Sequence, residues 1–325
     1  SEVLEEVMVV AYGTAKKSSF AGSAATMRGD KIQKMQVSDI SKSLEGAMSG
    51  VQIAQSSGQP GASATIFVRG FGSISASQSA LIVVDGVPYE GNLNQIAPSD
   101  IESMTVLKDA AANSLYGARG SNGVVLVTTK KGQSGKVKVT FENRTGLNMR
   151  GVPTYDVLDD PKEYYELYWE SIRNQQLTTG KSYLEAGQYA SNNLVANLGG
   201  YNCYNVANEL LIDPITGRLN PAAKLLYHDD WLEEAFSPGL RQENVISFSG
   251  GTDKTQYYAS LSYLNDESYT VNSDMQRINA RVKVDQQVNK WFKAGVNLAY
   301  SNVKTNSPNV GGTNYSSIFY FFNCK

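Results

Sequence analysis

The stretch that decides the fold runs from Val68 to Lys131 and reads VRGFGSISASQSALIVVDGVPYEGNLNQIAPSDIESMTVLKDAAANSLYGARGSNGVVLVTTKK. Three short apolar runs lie in it, at residues 80–84, 101–107 and 123–129, each rich in β-branched residues and bounded by Gly, Asp or Pro. Such runs predict buried strands. Residues 109–116 begin with an aspartate that can cap a helix, continue with alanines and are followed by a glycine that can end it. The stretch therefore predicts a compact strand–helix–strand unit around which the chain is organised.

The segments before this unit predict further short elements. Residues 39–50 predict a helix, because they begin with a capping aspartate and their apolar residues recur at helical spacing. Residues 51–54 and 65–68 predict strands on either side of a turn-rich loop. We therefore expect a mixed α+β domain over residues 37–134, preceded by an N-terminal linker over residues 1–36.

The composition excludes several classes of function. Among the 325 residues, Lys+Arg number 29 against Asp+Glu 31, so there is no basic field for nucleic acid or an anionic membrane surface. Charged residues are only 18%, whereas Gly (29) and Tyr (19) are frequent, which is typical of a β-rich, loop-rich protein. The one histidine, His228, gives no basis for a His triad or a multi-His metal site. Cys203 and Cys324 fit no metal spacing, and the sequence does not decide whether they pair. We expect no enzyme activity, no cofactor and no metal.

From residue 135 onward, apolar and polar side chains alternate along a set of segments of roughly ten residues. These segments are residues 136–142, 241–250, 256–263, 277–285 and 292–300. Strands with one apolar and one charged face are typical of a membrane β-barrel wall, and the alternative is half of a soluble antiparallel sheet. Aromatic residues near the segment ends, and connections that alternate between short and long, favour the barrel.

The connections separate two sides of this predicted wall. Residues 250–254 and 288–290 predict tight turns, whereas residues 148–240 and 265–274 predict long connections. Five strands cannot close a barrel, and an open sheet edge is not tolerated in lipid. We therefore interpret residues 135–325 as the first part of a barrel and expect further strands beyond them.

The connection at residues 148–240 predicts structure of its own. Asp160, Pro161 and Glu163 are an N-cap, a proline at the first helical position and an acidic residue at the third. The expected apolar face of that helix consists of Tyr164, Leu167, Tyr168 and Ile172. The abundance of Tyr, Trp and Asn suits a protein partner or a sugar, and equally a self-packed lid.

Other segments are candidates for binding. Residues 3–14 are apolar and, taken alone, predict an N-terminal edge strand; the alternative is a detachable strand that pairs with another protein. The loops at residues 56–62, 71–79 and 89–96 carry Ser, Gln, Asn, Tyr and one Glu, which can hydrogen-bond neutral polar ligands but form no catalytic set. Asp85-Gly86 predicts a hairpin turn rather than a metal site.

Five motifs occur in a characteristic order. They are residues 5–14 (EEVMVVAYGT) with Lys-Lys shortly after, 68–70 (VRG), 83–88 (VVDGVP), 101–109 (IESMTVLKD) and 115–123 (LYGARGSNG). Each motif alone is weak, but the ordered set is specific, and with it the chain resembles the SusC/RagA-type TonB-dependent outer-membrane transporters of Bacteroidetes-like bacteria. The resemblance covers essentially the whole chain and is strongest over residues 5–131.

The resemblance implies an outer-membrane protein in which a plug domain fills a transmembrane barrel of about 22 strands. It implies active uptake of an oligosaccharide or an oligopeptide, powered by the TonB–ExbB–ExbD complex and assisted by a SusD-like surface lipoprotein. It also reverses the edge-strand interpretation of the N-terminus, because the matching positions are then the TonB box, which pairs with TonB by strand addition. Those positions are Val7, Met8, Val9, Val10, Ala11 and Tyr12, of which Ala11 stands where glycine is commoner in the family.

The same interpretation gives expected site residues. The loop residues expected to contact ligand are Gln59, Ser75, Gln78, Tyr89, Glu90 and Asn92. Arg69 and Arg119 are expected to form charge pairs between the plug and the inner barrel wall. The alternative function is a non-transporting surface binding or adhesion protein. A secreted glycosidase has less support, because Asp159-Asp160 and Asp229-Asp230 are adjacent in sequence rather than facing each other.

Overall fold

A computed structural model describes most of the chain. The described residues are 24–55, 57–70, 79–108, 116–151, 158–228 and 234–308, together with the backbone of 7–10 and 13–16. Two compact units are present: residues 1–149 with 237–308, and residues 150–236 with 309–325. The helix predicted at residues 109–116 lies outside the described residues except for its last position.

The first unit begins with short elements. The hairpin β1 (Val7–Val10) and β2 (Gly13–Lys16) is followed by a small α+β domain over residues 24–134, here called the small domain. Its elements are β3 (Ala24–Arg28), α1 (Gly29–Lys34), β4 (Val51–Gln55), β5 (Ala64–Val68), β6 (Leu81–Val84), β7 (Val87–Pro88), β8 (Ile101–Leu107) and β9 (Val124–Thr129). β4 and β5 form a hairpin, and the others form a five-stranded sheet of order β3-β8-β9-β6-β7.

The three strands predicted from the opening stretch are confirmed as β6, β8 and β9. β9 lies between the other two, antiparallel to β8 and parallel to β6. Residues 124–127 of β9 are buried without a break, as expected of a central strand covered on both faces. The chain crosses from β6 to β7 at Asp85-Gly86, so the predicted hairpin turn is also confirmed.

Two features of the small domain differ from the sequence-based expectation. The helix expected over residues 39–50 is only a 3-10 helix at Ile40–Leu44. Asp39 does cap it, accepting from the Ser41 amide at 2.8 Å, but the chain leaves the helix at Glu45, and Gly46 takes φ +64°. In addition, β3 comes from the segment expected to be linker: it pairs with β8 and buries Met27 in the core.

The remaining strands of the first unit form a second sheet, here called the wall sheet. Its members are β10 (Gly135–Asn148), β11 (Gly239–Gly251), β12 (Thr255–Glu267), β13 (Asp274–Gln287) and β14 (Lys293–Asn306). They pair antiparallel in sequence order. The turns at residues 252–254 and 288–292 are short as predicted, but the β12–β13 connection spans only residues 268–273, because both strands extend further than their apolar alternation indicated.

The two faces of the wall sheet are inverted relative to a water-soluble sheet. The apolar alternate residues are exposed, among them Val139, Phe141, Leu261, Val282 and Leu298. On β12 and β13 the polar alternate residues are buried, among them Ser260, Ser262, Arg277, Asn279 and Arg281. The predicted alternation is therefore confirmed, and it is the polar face that the protein covers.

In the part of the second unit that the structure describes, two long helices pack around a core of their own. They are α2 (Pro161–Thr178) and α3 (Tyr183–Asn197), and none of the helices in the described residues is long and apolar enough to cross a membrane. Asp160 caps α2 by accepting from the Lys162 amide at 2.9 Å, which confirms the predicted start. The predicted apolar face is wrong in part: Ile172 is buried, but Leu167 is 60% exposed.

The buried face of α2 is set by Trp169, which is 1% exposed. Its indole nitrogen donates to Ser191 Oγ of α3 at 2.9 Å, and that hydroxyl donates to the Ile212 carbonyl at 2.8 Å. The indole ring also packs against Gly217, where a β-carbon would lie 2.6 Å from a ring carbon. A tryptophan needs both a flat pocket and a partner for its N–H, and the helical period alone does not predict that requirement.

The linker from the small domain into the wall sheet gives a test of the fold. A β-carbon at Gly132 would overlap the Tyr257 main-chain nitrogen and lie 2.6 Å from its carbonyl oxygen. Since backbone atoms cannot move aside cheaply, Gly132→Ala should lower the free energy of unfolding by about 1–3 kcal/mol. Thermal unfolding of the purified protein measures this. Gly146→Ala is the control, because that β-carbon would meet no atom within 4 Å; equal midpoints for the two variants would contradict the packing described.

Candidate functional site

The contact between the small domain and the wall sheet is made by polar groups. Along β12 and β13 the buried inward side chains include hydroxyls, an amide and guanidinium groups. Burying such groups costs free energy unless each finds a partner. The partners lie on the small domain, at Asp85, at Asp100 and along the main chain of residues 38 and 94–95.

The first contact centres on Asp85. Its carboxylate lies 2.9 Å from Arg281 Nη2 and 3.4 Å from Lys283 Nζ, both on β13. The amide of Asn297 on β14 donates to the same oxygen at 2.7 Å. On the small domain, Thr129 donates its amide at 2.9 Å and also its hydroxyl. The result is a carboxylate with donors from both sides of the contact.

The electrostatics of Asp85 follow from this geometry. Burial raises the pKa of the carboxyl, but the two hydrogen bonds from Thr129 and the charges of Lys283 and Arg281 outweigh burial and hold the pKa below its ordinary value. The position also depends on the turn, because Asp85 takes φ +48° and Gly86 +88°, angles that suit an Asp-Gly hairpin turn. The turn thus directs a charged carboxylate at the wall sheet.

The second contact centres on Asp100, at the start of β8. Its Oδ1 accepts from Tyr258 at 3.0 Å and from Ser260 at 2.6 Å, both on β12. All three side chains are buried. The Asp100 carbonyl also accepts a hydrogen bond from the Lys130 amide at 2.8 Å. This bond holds Lys130, near the end of the small domain, beside the start of β8.

The third contact uses main-chain acceptors. Arg277 on β13 donates to the carbonyls of Ser38 and Asn94, at 2.7 and 2.6 Å. Asn279, two residues on, donates to the Gln95 carbonyl at 2.6 Å. None of these contact residues was a sequence-based site candidate. Inward charges on β13 were visible as a polar face, but their partners could not be deduced from alternation.

The expected ligand residues that the structure describes lie on the loops of the small domain. Tyr89, Glu90 and Arg119 line one cavity of about 570 Å³ on the small domain, and Gln59 does not line it. The Tyr89 hydroxyl donates to Gln95 Oε1 at 2.9 Å, and burial raises its pKa. Gln59 is half-buried in the turn between β4 and β5, and Asn92 is exposed. Ser75 and Gln78 lie outside the described residues.

Arg69 and Arg119 are the residues expected to form charge pairs between the plug and the wall. Arg119 pairs with Glu90 of the same domain at 3.2 Å, with side chains 60% and 85% exposed. Arg69 is exposed, takes φ +65°, and donates its amide to the Gly50 carbonyl at 2.8 Å. Within the described residues, Asp85 forms two ion pairs that join the small domain to the wall sheet, one with Arg281 and one with Lys283. The glycines that follow Arg69 and Arg119 predict turns. A predicted turn does not show whether the neighbouring arginine faces the wall sheet.

The expected TonB box begins in a strand. Val7–Val10 is β1 and pairs antiparallel with Gly13–Lys16, and the two strands form a two-stranded sheet in the described residues. Ala11 and Tyr12 lie outside the described residues.

Comparison with known proteins agrees with this architecture. Residues 16–124 match the TonB-dependent Receptor Plug Domain family. The chain is 33% identical to TonB-dependent receptor P3 of Formosa agariphila over 91% of its length, and 28% identical to TonB-dependent receptor SusC of Bacteroides thetaiotaomicron over 96%. It covers 24% and 27% of these two relatives, so it spans about a quarter of their length.

Solved structures give the same result. The RagAB peptide importer in its closed-closed state superposes with a TM-score of 0.69 at 26% identity, over 91% of this chain and 32% of that one. The siderophore receptor PirA of Acinetobacter baumannii has a TM-score of 0.50 at 16% identity, over 87% of this chain and 32% of that one, and shows the shared fold alone.

The Asp85 contact predicts a pH-dependent stability. Asp85→Asn should lower the free energy of unfolding by roughly 2 kcal/mol at neutral pH, because it removes a charged acceptor from several donors. A carboxyl whose pKa is lowered by folding stabilises the protein above its ordinary pKa near 4, and that contribution is lost as the pH falls through the folded value. The difference in the free energy of unfolding between wild type and variant should therefore shrink below about pH 4.

Urea unfolding at a series of pH values measures this difference. The control is Asp253→Asn, a change in the exposed turn between β11 and β12. A difference for Asp85→Asn that persists undiminished into acid would contradict the assignment of an ionised carboxylate.

Proposed function

The chain belongs to the SusC/RagA family of TonB-dependent outer-membrane transporters, and from this membership we propose that the whole protein imports an oligosaccharide or oligopeptide across the outer membrane. The observation that carries the proposal is the inverted wall sheet. Its apolar face suits hydrocarbon, while the small domain covers its polar face as a plug covers the lumen of a barrel. A surface adhesin needs neither feature.

We assign energy coupling to residues 7–12. Among the described residues, β1 pairs with β2 as a two-stranded sheet, and a two-stranded hairpin is marginally stable in water. A strand of this kind can exchange its β2 partner for the edge of another protein's sheet. The proposed partner is TonB, acting with ExbB and ExbD.

Substrate capture is assigned to the polar loops of the small domain. Gln59, Tyr89, Glu90 and Asn92 carry amide, phenol and carboxylate groups, to which Ser75 and Gln78 are added from the sequence. Such groups recognise sugar hydroxyls and peptide amides alike. Among the solved relatives, RagAB is described as a peptide importer. A SusD-like lipoprotein is the proposed partner at the outer surface, and the second unit, rich in exposed Tyr and Leu, is where we expect it to bind.

The energy-coupling proposal predicts a separation of binding from uptake. Val9→Pro removes a main-chain N–H and blocks strand addition, whereas Val9→Thr keeps a β-branched residue that suits a strand. Cells carrying the proline variant should bind ligand normally and lose uptake, and the threonine variant should keep both. Uptake that survives Val9→Pro would favour the non-transporting surface protein.

The loop assignment predicts an effect on affinity without one on stability. Gln59→Ala and Asn92→Ala each remove a side chain able to hydrogen-bond a ligand, so each should weaken binding by about 5- to 10-fold. Calorimetry with defined oligosaccharides and tryptic peptides measures the affinity and identifies which class binds. Lys31→Ala, on the short helix α1, is the control. Unchanged affinity in both loop variants would remove these residues from the site.

A further inference from the structure

Arg277 differs from the other inward cations of β13 in what it contacts. It is 1% exposed, and one nitrogen, Nη1, donates to two small-domain carbonyls, those of Ser38 and Asn94. Arg281 instead bonds the side chains of Asp85, Thr129 and Asn297. A planar –NH₂ group directs its two hydrogens at a fixed angle, so the two carbonyls that Arg277 binds are held in a fixed relation to each other.

Asn94 extends this contact to the turn between β4 and β5. Its buried side chain donates to the Gly61 carbonyl at 2.8 Å. Gly61 itself takes φ +79° and packs against the wall sheet, where a β-carbon would lie 2.8 Å from Thr305 Oγ1. Residues 57–62 are therefore tied to Arg277 through a single residue.

The second acceptor of Arg277, Ser38, links the arginine to a different segment. Its hydroxyl donates to Asp266 of β12, and the next residue, Asp39, caps the 3-10 helix at Ile40–Leu44. In the sequence, this segment precedes β4. One guanidinium nitrogen thus joins the segment at residues 36–44 to the turn at residues 57–62, the latter through Asn94.

We propose that Arg277 is a junction that couples the turn at residues 57–62 to the segment at residues 36–44. If the turn moves, the Asn94 carbonyl moves with it, and the buried guanidinium of Arg277 loses an acceptor. Because Arg277 Nη1 also donates to the Ser38 carbonyl, a shift of that nitrogen displaces Ser38. The coupling is reciprocal, since a free-energy link between two sites acts equally in both directions. This inference rests on the proposed function, in which the turn at residues 57–62 contributes Gln59 to ligand binding.

Hydrogen exchange of the purified, ligand-free protein tests the junction. The Ala62 amide, bonded to the Gln59 carbonyl, reports on the turn, and the Ser41 amide, bonded to Asp39, reports on the second segment. In Arg277→Met both amides should exchange about tenfold faster or more. The Thr129 amide, bonded to Asp85, should keep its rate.

Arg281→Met is the matched control, because it removes a guanidinium from the same face of the same strand. It should speed exchange at Thr129 and leave Ala62 and Ser41 unchanged. Asn94→Ala is the second variant: it removes the bond to Gly61 while keeping its own carbonyl, so only Ala62 should exchange faster. Equal acceleration of all three amides in both arginine variants, or an unchanged Ala62 in Asn94→Ala, would overturn the proposal.

These outcomes are independent of transport. The exchange measurement uses neither ligand nor an energised membrane, so its failure would remove the junction and leave the uptake proposal standing. Conversely, uptake that survives Val9→Pro would reject energy coupling while leaving the exchange result intact.

Discussion

The structure depends on a sheet whose polar face must be covered by protein. Arg277, Arg281 and Tyr258 point inward from the wall sheet and are buried there, while the opposite face carries exposed leucine, valine and aromatic side chains. Removing partners from buried charges is strongly unfavourable, and leaving an apolar face in water is unfavourable as well. A hydrocarbon environment on one side and the small domain on the other satisfy both requirements together.

Apolar packing stabilises the small domain itself, whereas polar interactions stabilise its contact with the wall sheet. The small domain has an apolar core of strands and short helices, including Ile32, Leu44 and Met104, and apolar cores resist rearrangement. Its contact with the wall sheet is built from a charge pair at Asp85, a carboxylate–hydroxyl group at Asp100 and main-chain acceptors. Polar contacts of this kind can exchange their partners for water, so the domain can keep its fold while its hold on the wall changes. This is the property that a movable plug requires.

The strands and turns of this chain can be predicted from its sequence better than the tertiary partners of its polar side chains. The buried runs at residues 101–107 and 123–129, the Asp-Gly turn and the period-two alternation each have a local physical cause, and the structure confirms them. The helix expected over residues 39–50 ends early because Gly46 takes a left-handed conformation, which the spacing of apolar residues does not reveal. Alternation shows that Arg277 and Arg281 share a face, but not that one bonds carbonyls and the other a carboxylate. Arg119 was expected at the wall and pairs instead with Glu90, since a motif position carries no information on tertiary distance.

The most direct test measures which side of β12 meets lipid. Nitroxide labels at Leu261, Ser262 and Tyr263, introduced after both native cysteines are replaced by serine, report collision with oxygen in the bilayer and with a water-soluble nickel complex. We expect the labels at Leu261 and Tyr263 to collide with oxygen and the label at Ser262 to be shielded from both reagents by the small domain. Labels at Leu261 and Tyr263 that collide mainly with the nickel complex would show a water-exposed sheet and contradict this expectation.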